Sequence, residues 1–149
     1  MVRLIDKEEI PKVAVLMKAM AKELMGDSAT DDVAVYVKAT FDAYKDNTQH
    51  IYVDDSYKGF FILKDDYEEI YPDYHRYIMT KIYIKPEARK GTLYRDMYLK
   101  VLEDFPTGDI LGVTEIDSQH IPILEKRHKR IANVYQLDRN YLKLRKNII

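Results

Sequence analysis

The sequence predicts a mixed α/β domain, with a twisted mixed sheet that carries helices on both faces. Two observations support this prediction. Apolar residues recur at helical spacing in two segments near the N-terminus and then alternate at strand spacing in the middle of the chain. Helical and strand patterns alternate again in the second half, which is typical of a strand–helix–strand crossover. The predicted order is β-α-α-β-β-β-α-β-α-β-β, and a length of 149 residues suits one domain over 1–149.

Two helices are predicted after a short first strand over 2–5. Asp6 and Glu9 have the spacing of a helix capping pair, and Gly26 is a stop signal for the first helix. The second helix is predicted over 31–44. Its apolar residues share one predicted face, which comprises Val33, Val37, Phe41 and Tyr44.

The middle of the chain changes to strand spacing. A hairpin is predicted from 50–53 and 57–63, and Gly59 within it predicts a bulge or a close approach of two backbones. Residues 65–73 form a predicted acidic loop, which either attracts a cationic amine or is simply solvated. The remaining predicted elements are a strand over 74–84, a helix over 92–105, a strand over 110–116, a helix over 121–130 and a hairpin over 131–144.

Composition excludes several classes of function. Cysteine is absent, which removes disulfides, thiolate metal sites and a cysteine nucleophile. No apolar run approaches the roughly 20 residues of a membrane span, so a cytoplasmic location without membrane association is predicted. The histidines lie far apart and predict no metal site. The net charge is −1, but residues 118–149 hold eight basic and two acidic side chains. This asymmetry fits either an anionic partner or neutralisation by the rest of the chain, and no nucleic-acid module surrounds it.

A second kind of signal lies between the predicted strand over 74–84 and the helix that follows. Residues 82–93 read IYIKPEARKGTL, which places a Pro-Glu turn and a basic loop ahead of that helix. Such a loop exposes backbone N–H groups that can hold a pyrophosphate, and Arg89 and Lys90 add positive charge. Together with the element order, this segment resembles the GNAT family of acyl-CoA-dependent N-acetyltransferases, whose loop pattern is Arg/Gln-x-x-Gly-x-Gly/Ala.

The resemblance implies acetyl-CoA as cosubstrate and an amine of a small molecule or protein as acceptor. The residues that it assigns to cosubstrate binding are Ile82, Tyr83, Ile84, Arg89, Lys90, Gly91, Thr92 and Asp117. The pattern departs from the family at two places, because one residue instead of two separates Arg89 from Gly91, and Leu93 replaces a small residue. A charged loop capped by Thr92 is therefore the alternative interpretation.

A further segment, DSQHIPILEK over 117–126, is similar to the Asn-x-x-Ala-x-x-Leu-Tyr-Glu-Lys pattern of many family members. Asp117 takes the Asn place and His120 the Ala place. Leu124 takes the place of the Tyr that serves the family as general acid. This variant also resembles GNAT-like proteins of tailed bacteriophages, including small virion-morphogenesis proteins.

Proton transfer is required in this chemistry, and the candidate carriers are Tyr83, Glu115 and His120. Glu115 is alternatively a solvated carboxylate at a strand end, and His120 a capping or packing residue. Tyr94 and Tyr98, four residues apart on a predicted helix, either line the cosubstrate or pack.

Two functions follow from the sequence. The first is an N-acyltransferase. The second is a GNAT-fold protein without catalysis that binds or assembles, with a second copy or a virion component as its partner and the host cytoplasm or the virion as its location.

Overall fold

The computed structural model describes residues 1–66 and 75–112. Contacts divide the chain into two units, Met1–Val113 and Thr114–Ile149, and the described residues all belong to the first. The single domain over 1–149 therefore stays a prediction, and the helix over 121–130 and the hairpin over 131–144 lie outside the described residues. None of the helices within the described ranges is long and apolar enough to cross a membrane.

The described elements follow the predicted order as far as they extend. The strands are β1 (Val2–Leu4), β2 (Gln49–Asp54), β3 (Gly59–Asp66), β4 (Arg76–Ile84) and β5 (Asp109–Gly112). The α-helices are α1 (Ile10–Met25), α2 (Val33–Lys45) and α3 (Leu93–Asp104). Short 3₁₀ turns lie before α1, after α1 and after β4, at Lys7–Glu9, Gly26–Ser28 and Pro86–Ala88.

The five strands form one mixed sheet in the spatial order β1-β2-β3-β4-β5. The first three pairs are antiparallel, whereas β4 and β5 are parallel, with Arg76 opposite Asp109 and Met79 opposite Gly112. A parallel pair needs a crossover connection, which α3 provides. The predicted strand–helix–strand unit is therefore confirmed.

Alternation along the strands divides the core between the two faces of the sheet. On one face, Phe60 and Ile62 pack with Val13 and Leu16 of α1. On the other, Phe61 and its neighbours pack with α3. The prediction of helices on both faces is confirmed, and β3 is buried from both sides. Burying one such aromatic side chain stabilises the fold by about 1.5–3 kcal/mol.

The apolar face predicted for α2 is wrong at three of its four residues, whereas the fourth, Val37, packs against the core as predicted. Val33, Phe41 and Tyr44 are 48%, 36% and 38% exposed, whereas Tyr36 and Thr40 face the core. The core accepts these two polar side chains because their hydroxyls are satisfied. Tyr36 Oη donates to the Thr30 carbonyl at 2.7 Å, and Thr40 Oγ1 donates to the Tyr36 carbonyl at 2.7 Å.

The acidic segment also begins later than predicted. Asp65 and Asp66 belong to β3, where they lie opposite Tyr77 and Arg76 of β4. Asp65 contacts the His50 ring at 2.9 Å, and Asp66 forms an ion pair with Arg76. These partners across the sheet extend the strand through a sequence that looks like a loop. The rest of the acidic segment, 67–73, lies outside the described residues.

Candidate functional site

The candidate site lies where β4 ends and α3 begins. A 3₁₀ turn over Pro86–Ala88 follows β4, and Arg89, Lys90 and Gly91 connect it to α3. Seven of the eight residues assigned to cosubstrate binding lie in this segment or in the last three positions of β4. Asp117 lies outside the described residues.

Gly59 brings this end of β4 close to β3. A Cβ atom at residue 59 would lie 2.7 Å from the Tyr83 carbonyl oxygen and 2.9 Å from Met97 Cε of α3. The predicted close approach of two backbones is therefore confirmed. The bulge offered as its alternative is not at Gly59, because the register of β3 and β4 shifts between Ile62 and Leu63.

The last residues of β4 face opposite sides of the sheet. Tyr83 is buried in the cluster that contains α1 and α2, while Ile82 and Ile84 pack on the α3 side. Burial raises the pKa of the Tyr83 phenol, and the negative charge of Glu23 raises it further. A phenol in this environment is protonated at neutral pH. The raised pKa makes this hydroxyl a weaker acid than that of a free tyrosine.

Arg89 is held by two different elements. Its Nε donates to the carbonyl of Ile84 at 2.8 Å, and its Nη2 lies 2.6 and 2.7 Å from the two carboxylate oxygens of Glu23 on α1. The guanidinium carbon is also 5.7 Å from the centroid of the Tyr83 ring, within cation–π range. Arg89 therefore ties the loop to both β4 and α1.

Glu23 is the residue that the sequence interpretation missed. It lies 66 positions before Arg89, so no local spacing connects the two. Only the packing of α1 across the end of β4 brings them together.

Two backbone N–H groups of the loop point into the loop itself, where they donate to carbonyls of the preceding turn. The amide of Arg89 donates to the Pro86 carbonyl at 3.3 Å, and that of Gly91 donates to the Ala88 carbonyl at 3.3 Å. In this conformation those two amides do not point outward toward a phosphate. Space around the loop is nevertheless open, because a Cβ at residue 91 would approach the Ala88 carbonyl oxygen no closer than 3.6 Å.

Thr92 does not cap α3 with its side chain, so the capping alternative is wrong in that respect. Its hydroxyl lies 3.1 Å from the carboxylate of Asp96, one turn further along the helix. The backbone of Thr92, at φ −96° and ψ 0°, is already close to helical. That geometry turns the side chain away from the first amides of α3, since a capping residue normally has an extended backbone.

Tyr94 and Tyr98 follow the packing alternative. Their rings lie 4.8 Å apart, their hydroxyls are 3.1 Å apart, and both pack against the apolar cluster under α3. Of the three candidate proton carriers, the structure describes Tyr83. Glu115 and His120 lie outside the described residues and stay predictions.

Comparison with known proteins distinguishes fold from family. No family model matches the sequence, and no curated protein matches it. Solved structures do match. A structure described as a possible acetyltransferase from Clostridium difficile 630 is 11% identical and superposes with a TM-score of 0.75 over 93% of this chain and 96% of that one. The chain has the GNAT acetyltransferase fold.

Two further solved structures, with different described functions, also match this chain. AAC(6')-Iy, in complex with the bisubstrate analogue CoA-S-monomethyl-acetylneamine, is 11% identical with a TM-score of 0.69 over 93% of this chain and 97% of that one. A transcriptional regulator from Bacillus halodurans C-125 is 12% identical with a TM-score of 0.72 over 93% of this chain and 98% of that one. At such identities the likeness concerns the fold, and function has to be argued from the site.

Proposed function

We propose that this protein is an acyl-CoA-dependent N-acyltransferase that transfers an acetyl group from acetyl-CoA to an amine of a small molecule or protein. The observation that carries the proposal is the placement of Arg89 and Lys90 immediately ahead of α3, inside the parallel β4–α3–β5 unit of a GNAT fold. A helix N-terminus next to two cations is a favourable place for a pyrophosphate. The CoA-containing complex of AAC(6')-Iy supports this choice of cosubstrate.

The loop fits a phosphate group through charge more than through a backbone cradle. Arg89 and Lys90 are both exposed, and no side chain of Gly91 obstructs the space beside them. The inward-turned amides of Arg89 and Gly91 contribute less, so the first turn of α3 has to supply the backbone donors. We therefore assign the phosphates of acetyl-CoA to the side chains of Arg89 and Lys90 and to the backbone N–H groups at the start of α3, directly after Thr92.

The acyl end of the cosubstrate is assigned to the last residues of β4. These residues lie directly ahead of the turn over Pro86–Ala88 and the basic loop, so an acyl group held there would extend from phosphates held at the loop.

The reaction needs two proton transfers. The acceptor amine attacks the thioester carbonyl, forming a C–N bond, and the C–S bond breaks to release the CoA thiolate. A base removes the proton from the amine, and Glu115 or His120 is proposed for this role. Tyr83, which stays protonated at neutral pH, is the proposed proton donor to the departing thiolate, and its raised pKa makes it a weak acid for this step.

Thermal unfolding with and without acetyl-CoA tests the proposal. At a hundredfold excess over its Kd, a ligand of the native state stabilises by about 2.7 kcal/mol, or about 5–10 °C for a chain of this length. The double variant Arg89→Ala/Lys90→Ala should lose this stabilisation. The control Lys38→Ala/Lys45→Ala removes the same charge from exposed positions on α2 and should keep it.

The alternative function is a GNAT-fold protein that binds or assembles without catalysis. Two observations favour it: the amides of Arg89 and Gly91 point into the turn, and Leu124 stands where the family has a tyrosine acid. Wild-type protein that gains no stability from acetyl-CoA, and releases no CoA with polyamine or peptide acceptors, would decide for this alternative.

A further inference from the structure

Glu23 links α1 to the loop that precedes α3. It lies in the last turn of α1, and its two carboxylate oxygens lie 2.6 and 2.7 Å from Nη2 of Arg89. The same carboxylate is close enough to Tyr83 to raise the pKa of its phenol. One acidic side chain thus contacts a cation of the proposed phosphate site and lies beside the candidate proton donor.

The contact occupies the part of Arg89 that a phosphate needs. A guanidinium binds an oxyanion bidentately through adjacent N–H groups, either Nε with Nη2 or Nη1 with Nη2. Both pairs include Nη2, which Glu23 holds, and Nε already donates to the Ile84 carbonyl. A phosphate that binds Arg89 bidentately must therefore displace the carboxylate or share Nη2 with it at close range.

We propose that Glu23 is a built-in counter-ion of Arg89 that the phosphate of an acyl-CoA displaces, so that cosubstrate binding releases the C-terminal turn of α1 from the loop. The inference rests on the proposed function and adds a regulatory contact to the same site. Glu23 here is a positioning residue. It lowers the affinity for the cosubstrate, and it couples cosubstrate binding to the contact between the last turn of α1 and the loop.

The energetics of the pair make displacement feasible. The side chains of Glu23 and Arg89 are 41% and 40% exposed. An exposed ion pair of this kind contributes little, equivalent to about a 1.4- to 5-fold change in an equilibrium constant. A phosphate carries more charge than a carboxylate and forms stronger charge-assisted bonds with Arg. The pair is therefore weak enough for a phosphate to displace the carboxylate.

The test uses the full chain with CoA itself as the probe, by calorimetric titration. Glu23→Gln keeps the shape of the side chain and removes its charge, and it should tighten CoA binding about two- to fivefold. Glu87→Gln is the matched control, since Glu87 lies in the adjacent turn and contacts Lys58 at 3.4 Å. It reports the general effect of removing one negative charge, and its effect should be smaller than that of Glu23→Gln.

Hydrogen exchange supplies a second readout. In wild-type protein, saturating CoA should speed amide exchange in the last turn of α1, because the link from Glu23 to the loop is broken. In Glu23→Gln that turn should exchange faster from the start and respond little to CoA. A Glu23 that only supports the fold would leave exchange in this turn independent of CoA.

Each outcome bears on a different claim. If CoA binds wild-type protein through Arg89 and Glu23→Gln binds it no more tightly than Glu87→Gln, the counter-ion inference is wrong and the proposed function stands. If Glu23→Gln binds CoA about two- to fivefold more tightly than wild-type protein and Glu87→Gln does not, the inference is supported. If neither wild-type protein nor Glu23→Gln binds CoA, both the inference and the proposed function are wrong.

Discussion

Replacing Gly59 with alanine should destabilise the protein through the end of β4. The added methyl group would lie 2.7 Å from the Tyr83 carbonyl oxygen, 2.9 Å from Met97 Cε and 3.2 Å from Ile84 Cγ1. Met97 can move its terminal methyl, but the carbonyl belongs to the backbone of β4 and can move only with its strand. Overpacking of this kind costs about 1–3 kcal/mol.

Part of that cost is offset in the unfolded chain. Alanine has less conformational freedom than glycine, which favours the folded state by about 0.4–1 kcal/mol. The expected net loss is therefore about 1–2 kcal/mol, or a melting temperature lower by about 2–8 °C. Scanning calorimetry on both proteins measures it directly.

Gly91→Ala is the matched comparison. The same methyl group there meets the Ala88 carbonyl oxygen at an ordinary 3.6 Å, so stability should be unchanged or slightly higher. If Gly59→Ala melts at the same temperature as Gly91→Ala, the close approach of β3 and β4 is not rigid and the reasoning from distance fails. Conversely, Gly91→Ala should weaken acetyl-CoA binding if the loop approaches the phosphates closely.

Four other perturbations have definite expected results. Contact with Arg3 lowers the pKa of Glu9 to about 2, so the stability that this pair contributes should be lost as the pH falls from about 4.5 toward 2, and Glu9→Gln should flatten that part of the stability–pH curve. Asp54→Ala should cost about 2–4 kcal/mol in denaturant unfolding, because its buried carboxylate accepts three backbone N–H groups of the next turn. Phe41→Ala should cost less than about 1 kcal/mol, since the ring lies on the exposed face of α2. If Leu124 faces the thioester, Leu124→Tyr should raise acetyl transfer to polyamine or peptide acceptors, while a destabilised and equally inert variant would contradict a thioester beside Leu124.

The sequence predicted well those parts of the fold that depend on local signals. Gly26 ends α1 with a positive φ of 57°, a conformation that favours glycine, and Gly59 marked a close approach that the structure contains. The prediction for the face of α2 failed at three residues because hydrophobic periodicity considers residue type alone. It does not show that the hydroxyls of Tyr36 and Thr40 hydrogen-bond to carbonyl groups, which allows both side chains to be buried.

The sequence predicted only those parts of the site that are contiguous in the chain. The loop with Arg89 and Lys90 was visible because its residues are contiguous. Glu23 was not, because its role depends on how α1 crosses the end of β4. The inward direction of the Arg89 and Gly91 amides was equally hidden, since it arises from the 3₁₀ turn over Pro86–Ala88 and not from residue type.

The spatial order of the five described strands has a consequence for how this sheet is made. It equals their order in the chain, so none of these five strands has to insert between two that are already paired. The antiparallel run from β2 to β4 needs only short connections, which favours rapid pairing, whereas the parallel strand β5 must wait for α3 to form the crossover. During synthesis, each new strand of this set can therefore pair with the edge of the sheet that earlier strands have already formed. Nascent chains stopped after β4 should already protect the backbone amides of β3 from exchange.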